Sequence, residues 1–329
     1  MKSFTFIVLS YNHSGFIVEH LESIKYQIDE YGSNFEVDII VSDDFSKDDT
    51  SILIRKWFRK NSYIFRNCIT LFNEKNLGTC KSLKNALEKC DSEFCKITAG
   101  DDIYSSENIF DFALENKNAL ICTGLPIRLI DGKLRATFFE TINYIASKYI
   151  YRSSSFNERL IGLSVINAPN IIYSMEALKN DKVLNVLDDY DVVEDFPLQV
   201  AISEIYPEVK FEQSYKNIVY YRRTEGSTYL VANERFKKDQ IKVLNYLIAD
   251  SKKKKKFMKR VLLKNRLFVF NNPNFVSRNI LNLSKIVYFY RLLFFFVRVF
   301  QDFISIQPNL VKGEKHYKLI KEAAKTIND

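Results

Sequence analysis

Over the first 125 residues, short apolar runs alternate with stretches whose apolar residues recur every three or four positions. The runs are Phe4–Leu9, Val37–Val41, Cys68–Phe72, Phe94–Thr98 and Ala119–Thr123. They are dense in β-branched and aromatic residues and read as buried strands. Between the first two, Phe16, Ile17, Leu21, Ile24 and Ile28 keep helical spacing. Further helices are predicted from Ser46–Thr50 through Trp57, over Ser82–Cys90 and over Glu107–Glu115. Strands and helices alternating through short loops predict an α/β fold, Rossmann-like, with a mostly parallel sheet and helices on both faces.

Polar clusters fall at three strand ends. Ser10-Tyr11-Asn12 closes the first strand, Ser42-Asp43-Asp44 the second and Gly100-Asp101-Asp102 the fourth. In a doubly wound sheet these ends share one edge, so the clusters are predicted to converge on one crevice. Carboxylate oxygens there suit Mg²⁺ or Mn²⁺, ions that keep waters and take phosphate oxygens as further ligands. An isolated Gly-Asp-Asp serves equally well as a helix cap; convergence is what favours the ligand site. No GxGxxG follows the first strand and no GxxxxGK[ST] is present, which argues against NAD-type and P-loop sites.

After Pro126 the pattern changes. Arg128–Leu134 reads as a hairpin with an Asp131-Gly132 turn. The segment to about Ile172 shows no clear period. Leu187–Leu198 is rich in carboxylates and runs into an apolar helix over Leu198–Ile205. Phe211–Tyr221 alternates weakly and reads as a strand, followed by Arg222-Arg223-Thr224.

Charge separates the last part from the rest. Residues 1–230 hold 26 Lys/Arg against 33 Asp/Glu, and residues 231–329 hold 22 against 7. Lys252–Lys256 are consecutive lysines, and Ile286–Ile304 is almost wholly apolar and aromatic, broken by Arg291, Arg298, Gln301 and Asp302. Arg291, Arg298 and Asp302 share one narrow stripe of a helix. Two arginines are costly inside a bilayer span. The run therefore reads as an amphipathic helix lying in a membrane interface, with lysines on anionic lipid; the alternative is a helix packed on the body. Met1-Lys2-Ser3 leads straight into the first strand, so no signal peptide is expected. The five cysteines show no CxxC pair or histidine partner and read as reduced thiols of a cytosolic protein.

The ordered set Ile7–His13, Ile39–Thr50, Asn76-Leu77-Gly78, Ala99–Asp102 and Glu194-Asp195 resembles family 2 glycosyltransferases of the GT-A fold, bacterial surface-polysaccharide type. The resemblance implies a nucleotide-sugar-binding half over 1–125 and an acceptor half with the catalytic base over 126–230; past Asp195 it fades, and the basic helical tail over 231–329 rests on composition alone. It implies that Ser10, Tyr11, Asn12, Asp43, Asp44, Gly78 and Asp101 line the nucleotide-sugar pocket. Asp101 would hold a divalent metal, with Asp102 as lesser partner. Asp195 would be the base toward the acceptor hydroxyl, with Glu194 and Asp191 as competitors. Arg222 and Arg223 are candidate diphosphate or acceptor contacts. Ala99 stands where the family often has a first aspartate, and Phe45 where glycine is common. No QxxRW is present, which favours transfer of a single sugar. The implied enzyme is an inverting, metal-dependent hexosyltransferase acting on a glycan or lipid-linked acceptor, peripheral on the cytoplasmic face of the membrane. The competing class is a non-catalytic protein on a nucleotide-binding fold that binds membrane or nucleic acid through its tail. Phenylalanines in one near-continuous apolar run favour lipid over nucleic acid.

Overall fold

The computed structural model describes residues 1–166, 168–223, 233–306 and 308–328. The first half follows the apolar pattern: β1 (Lys2–Ser10), α1 (Ile17–Tyr31), β2 (Phe35–Asp43), α2 (Thr50–Asn61), β3 (Asn67–Phe72), α3 (Thr79–Leu87), β4 (Phe94–Ala99), β5 (Ile103–Tyr104), α4 (Ile109–Glu115) and β6 (Ile121–Thr123). The Asp-Gly hairpin is β7 (Ile127–Ile130) and β8 (Lys133–Arg135). Asp131 and Gly132 both take positive φ, 50° and 75°, as a two-residue hairpin turn requires. Next come α5 (Phe138–Ile150), α6 (Phe156–Ile161), β9 (Ile171–Ser174), α7 (Met175–Leu178), α8 (Asp181–Leu184) and α9 (Asp195–Ile205).

The main sheet has the order β10-β6-β9-β4-β1-β2-β3, where β10 is Phe211–Gln213. Strands β1 to β4 and the pair β6–β10 run parallel, and β9 is antiparallel to both its neighbours. Thus residues 171–174 complete the sheet begun by residues 1–125. Along β1, Phe4, Phe6 and Val8 pack with α1, α2 and α4, while Ile7 joins the core under α3, α6 and α9. That alternation is why the strand reads as apolar throughout.

Phe211–Tyr221 is not one strand. It splits into β10 and β11 (Val219–Arg222), and β11 joins a second sheet of order β5-β11-β7-β8. Polar bonds break it: the Tyr144 hydroxyl donates to the Ser214 carbonyl at 2.7 Å, and Asn170 Oδ1 accepts from the Ile218 and Val219 amides. Residues 224–228, expected to close this segment, lie outside the described residues.

The tail is α10 (Asn233–Lys253), α11 (Phe257–Asn271), α12 (Phe275–Asn279), α13 (Leu283–Ser305) and α14 (Leu310–Asn328). Helix α14 packs on α1 and β8, burying Tyr317, Ile320, Ala324 and Ile327. Helix α13 lies along α5 through Tyr288 and Val299. Its Asp302 accepts from the Tyr149 and Tyr215 hydroxyls at 2.6 and 2.8 Å. The polar stripe predicted for this helix thus faces the body at Asp302, while Leu293, Phe294 and Val297 stay 67–74% exposed. Residues 275–305 form one stretch long and apolar enough to cross a membrane by length and composition.

Candidate active site

Ser10 pairs with Asp43 and Leu9 with Ala99 across parallel strands, so the three polar clusters lie on one sheet edge. Asp43 is buried and accepts from Ser10 Oγ at 3.0 Å, Ser46 Oγ at 2.5 Å and the Ser46 amide at 3.0 Å. Asn12 (φ 55°) accepts from the Lys47 amide at 2.8 Å, and the Tyr11 ring is half exposed beside it. Phe45 has φ 67°, a left-handed backbone that explains why glycine suits this position.

Asp44 shapes the next loop. Its Oδ1 accepts from the Leu77 amide at 2.7 Å and Asn73 Nδ2 at 2.9 Å, and its Oδ2 from the Gly78 amide at 2.9 Å. Gly78 has φ 86°, and a Cβ there would collide with Asp191. This glycine lets the β3–α3 loop meet the acidic run.

At the end of β4, the Gly100 amide donates to the Leu9 carbonyl at 2.8 Å. A Cβ on Gly100 would lie 2.7 Å from Ile17 Cδ1 and 3.1 Å from His13 Nδ1, so the approach needs glycine. His13 Nδ1 is buried beside it without a hydrogen-bond partner among the described residues. Asp101 and Asp102 then differ. No donor among the described residues bonds the buried Asp101 carboxylate. Asp102 Oδ1 accepts from the Arg222 amide at 2.9 Å. Burial, then the Asp101 charge, hold Asp102 well above the ordinary carboxylate range. The Asp102 carbonyl accepts from His20 Nδ1 at 2.8 Å. Burial pulls His20 down to about 3, so its ring is neutral. Burial likewise brings Lys96, on β4, down to about 7, with Asp102 opposing.

Arg222 stands differently from its sequence reading. Its Nε donates to the Asp101 carbonyl at 2.6 Å, and its terminal nitrogens to Glu19 at 2.5 Å and the Tyr317 hydroxyl at 3.2 Å. The guanidinium is buried and braces the Asp101-Asp102 turn from behind. Arg223 is exposed, with its amide on the Leu129 carbonyl at 3.1 Å.

The acidic run is anchored from both sides. The Cys80 amide donates to the Asp191 carbonyl at 3.0 Å. Asp239 on α10 accepts the amides of Asp191, Val192 and Val193 at 2.8–3.1 Å through one oxygen. Arg235 holds Asp191 with two bonds of 2.5 Å. Glu194 and Asp195 open α9, close enough to Cys80 and Tyr173 for their charges to raise both groups. They keep some surface contact, though protein surrounds them on most sides. Burial and then the Asp195 charge push Glu194 up to about 8. Burial raises Asp195 too, while the Phe196 amide, 2.7 Å from Oδ1, favours its charge. Burial thus raises both carboxyls and disfavours two charges on the pair, while the backbone amide bond at Asp195 opposes the rise there.

Arg235, Asp239, Glu19 and His20 were not signalled by the sequence. Each meets its partner across tens to hundreds of residues, with no local motif to mark it.

Among the described residues no three His, Cys, Asp or Glu side chains gather as a metal cage. The single unengaged carboxylate of Asp101 fits an ion that draws its remaining ligands from phosphate and water.

The family model described as "Glycosyl transferase family 2" matches residues 5–181. A comparison with curated proteins gave no match. Among solved structures, S. aureus TarS 1–349 in complex with UDP-GlcNAc is 20% identical, with a TM-score of 0.56 over 99% of this chain and 92% of that one. The mannosyltransferase PcManGT from Pyrobaculum calidifontis, in complex with GDP-Man and Mn²⁺, is 13% identical, with a TM-score of 0.54 over 99% and 86%. At such identities the likeness speaks for a shared fold.

Proposed function

The chain belongs to glycosyl transferase family 2, and from that premise we propose that it moves one hexosyl unit from a nucleoside-diphosphate sugar to a hydroxyl of a glycan or lipid-linked acceptor, with inversion, in surface-polysaccharide synthesis. One observation carries the reading. A contact chain runs from the strand-end aspartates through Gly78 to the acidic run: Asp44 fixes Gly78, Gly78 abuts Asp191, and Asp191 leads to Glu194-Asp195. This chain of contacts supports reading the donor-binding and base-bearing carboxylates as sides of one crevice. The complexes of TarS with UDP-GlcNAc and of PcManGT with GDP-Man and Mn²⁺ support a nucleotide-sugar donor and a divalent ion.

Ser10, Tyr11, Asn12, Asp43 and Asp44 bind the nucleoside, with Asp43 and Asp44 set by their hydrogen bonds before any ligand arrives. Asp101 would hold a divalent ion against the diphosphate, where such an ion supplies positive charge to the departing group. Asp102, tied to the Arg222 amide and resistant to ionisation, is its lesser partner. Asp195 takes the proton of the acceptor hydroxyl as that oxygen attacks the anomeric carbon from the side opposite the diphosphate. Glu194, protonated, keeps a second negative charge out of the base's surroundings.

Exposed apolar residues on α13 support a place on the inner membrane surface, where a lipid-linked acceptor would be met.

A thermal-shift screen with UDP-, GDP-, CMP- and dTDP-sugars in the presence of Mn²⁺ tests the reading, since a ligand of the native state raises the melting temperature. At least one nucleoside-diphosphate sugar is expected to raise it for the native chain and not for Asp43→Ala. No shift with any donor overturns the proposal.

A further inference from the structure

A cavity of about 600 Å³ lies away from the crevice, between α6, the carboxyl end of α9, the α10–α11 turn and the start of α13. Asp195 and Glu204 stand nine residues apart on α9, roughly 13 Å along its axis, so this is a separate site. Its cationic wall is Lys254, Lys256, Lys259 and Arg291. Lys254 is paired with Asp250 at 2.9 Å, and Lys259 donates to Asn157 at 2.7 Å. Lys256 and Arg291 have no carboxylate within ion-pairing distance among the described residues. Burial draws Lys259 below the ordinary lysine value, and the nearby Lys256 and Lys254 add to this. The wall would accept an anion.

The opposite wall is of another kind. Glu204 Oε2 accepts from the Tyr246 hydroxyl at 2.6 Å, but its Oε1 is buried without a partner. Ser284, 6% exposed, also lines the cavity, and its Oγ has no partner either. Two residues that border one cavity thus each keep a buried polar atom with no partner among the described residues, and such atoms call for a ligand or water. A bare phosphate would be repelled by Glu204 and by Glu158, which also lines the cavity. A molecule with a phosphate at one end and hydroxyl donors at the other matches both walls.

The cavity also opens toward apolar surface. Met258 and Val287 line it and are themselves exposed. They continue into the uncovered residues of α13, of which Leu293 and Phe294 are 74% and 69% exposed. Ser284 and Arg291 reach the cavity from that same helix.

We propose that this cavity binds the headgroup of an anionic, hydroxyl-bearing lipid of the phosphatidylglycerol kind, with the lipid's chains in the bilayer against α13. Lys256 and Arg291 hold the phosphate. Glu204 and Ser284 take the glycerol hydroxyls. The inference rests on the membrane placement proposed above and adds a headgroup preference that placement alone does not require.

Vesicle flotation of the full chain tests it, using phosphatidylcholine alone or mixed with equal amounts of phosphatidylglycerol or phosphatidylserine. The native chain is expected to bind the phosphatidylglycerol vesicles best. The double variant Lys256→Gln/Arg291→Gln should lose that preference, with binding about tenfold weaker, of the size a broken charge-assisted contact gives. Lys315→Gln/Lys318→Gln, the same charge change on exposed positions of α14, should retain it. The charge-preserving pair Lys256→Arg/Arg291→Lys should retain it too, which separates lost charge from lost folding. Equal losses in both glutamine pairs, or equal binding to the two anionic lipids, would overturn the cavity and leave the membrane placement standing. No flotation of the native chain with any vesicle would overturn both.

Discussion

In each of the two acidic pairs, Asp101-Asp102 and Glu194-Asp195, the neighbouring carboxyls have different partners. Among the described residues no donor bonds the Asp101 carboxylate, whereas Asp102 is tied to the Arg222 amide. Glu194 is pushed up to about 8, while the Phe196 amide helps Asp195 to stay ionised. Asp195→Asn should therefore cut transfer by at least about a hundredfold, the scale of losing a positioned base, while Glu194→Gln keeps most of it. Steady-state rates with the donor found by thermal shift check this ordering. Glu194 also makes a stability prediction. Its folded value lies above the ordinary 4.5, so its favourable contribution is complete below that pH and is lost as pH rises through about 8. Glu194→Gln removes the dependence. The variant should match the native chain near pH 4 and be more stable near pH 9 by about 1–3 kcal/mol, read from denaturant melts. The strand-end aspartates were readable in the sequence because chain order alone puts them at one sheet edge. The role of Arg222 was not: a cation after a strand looks the same whether it faces a diphosphate or, as here, Glu19 some two hundred residues away.

At the level of elements, the acidic run is held by helix α10 rather than by its own sequence. Asp239 supplies one oxygen to three successive amides, and Arg235 holds Asp191. Asp239→Ala leaves those buried donors unpaired and should cost about 2–4 kcal/mol. It should also slow transfer with donor binding little changed, because the base loses its place while the strand-end aspartates keep theirs. Calorimetric melting and donor titration separate the two effects. The strands and helices of residues 1–125 were legible because each buries a periodic apolar face in one layered core. In residues 126–222 only the Asp131-Gly132 hairpin and the helix ending at Ile205 were. The strands there are three or four residues long, too short to show a period, and polar bonds such as those of Asn170 and Tyr144 decide where they break.

Across the whole molecule, the basic tail is two things at once. Helices α10 and α14 complete the body, whereas α13 lays Asp302 and Tyr288 against α5 and leaves a row of large apolar side chains uncovered. Composition revealed the charge and the apolar run, but which face of α13 is turned outward depends on its packing against α5. If that face meets a bilayer, Leu293→Asp/Phe294→Asp should abolish vesicle flotation without lowering the melting temperature, since both side chains are already exposed. The proposed activity is narrower: Asp101 and the strand-end aspartates beside it bind and turn over a nucleoside-diphosphate sugar. The most direct test is turnover of that donor by the purified chain in Mn²⁺, with Asp101→Asn measured beside it and both melted in the absence of ligand. Measurable turnover by the native chain, a fall of at least about a hundredfold in the variant, and unchanged melting are expected. Equal turnover by the two proteins, or none by the native chain with any donor, would contradict it.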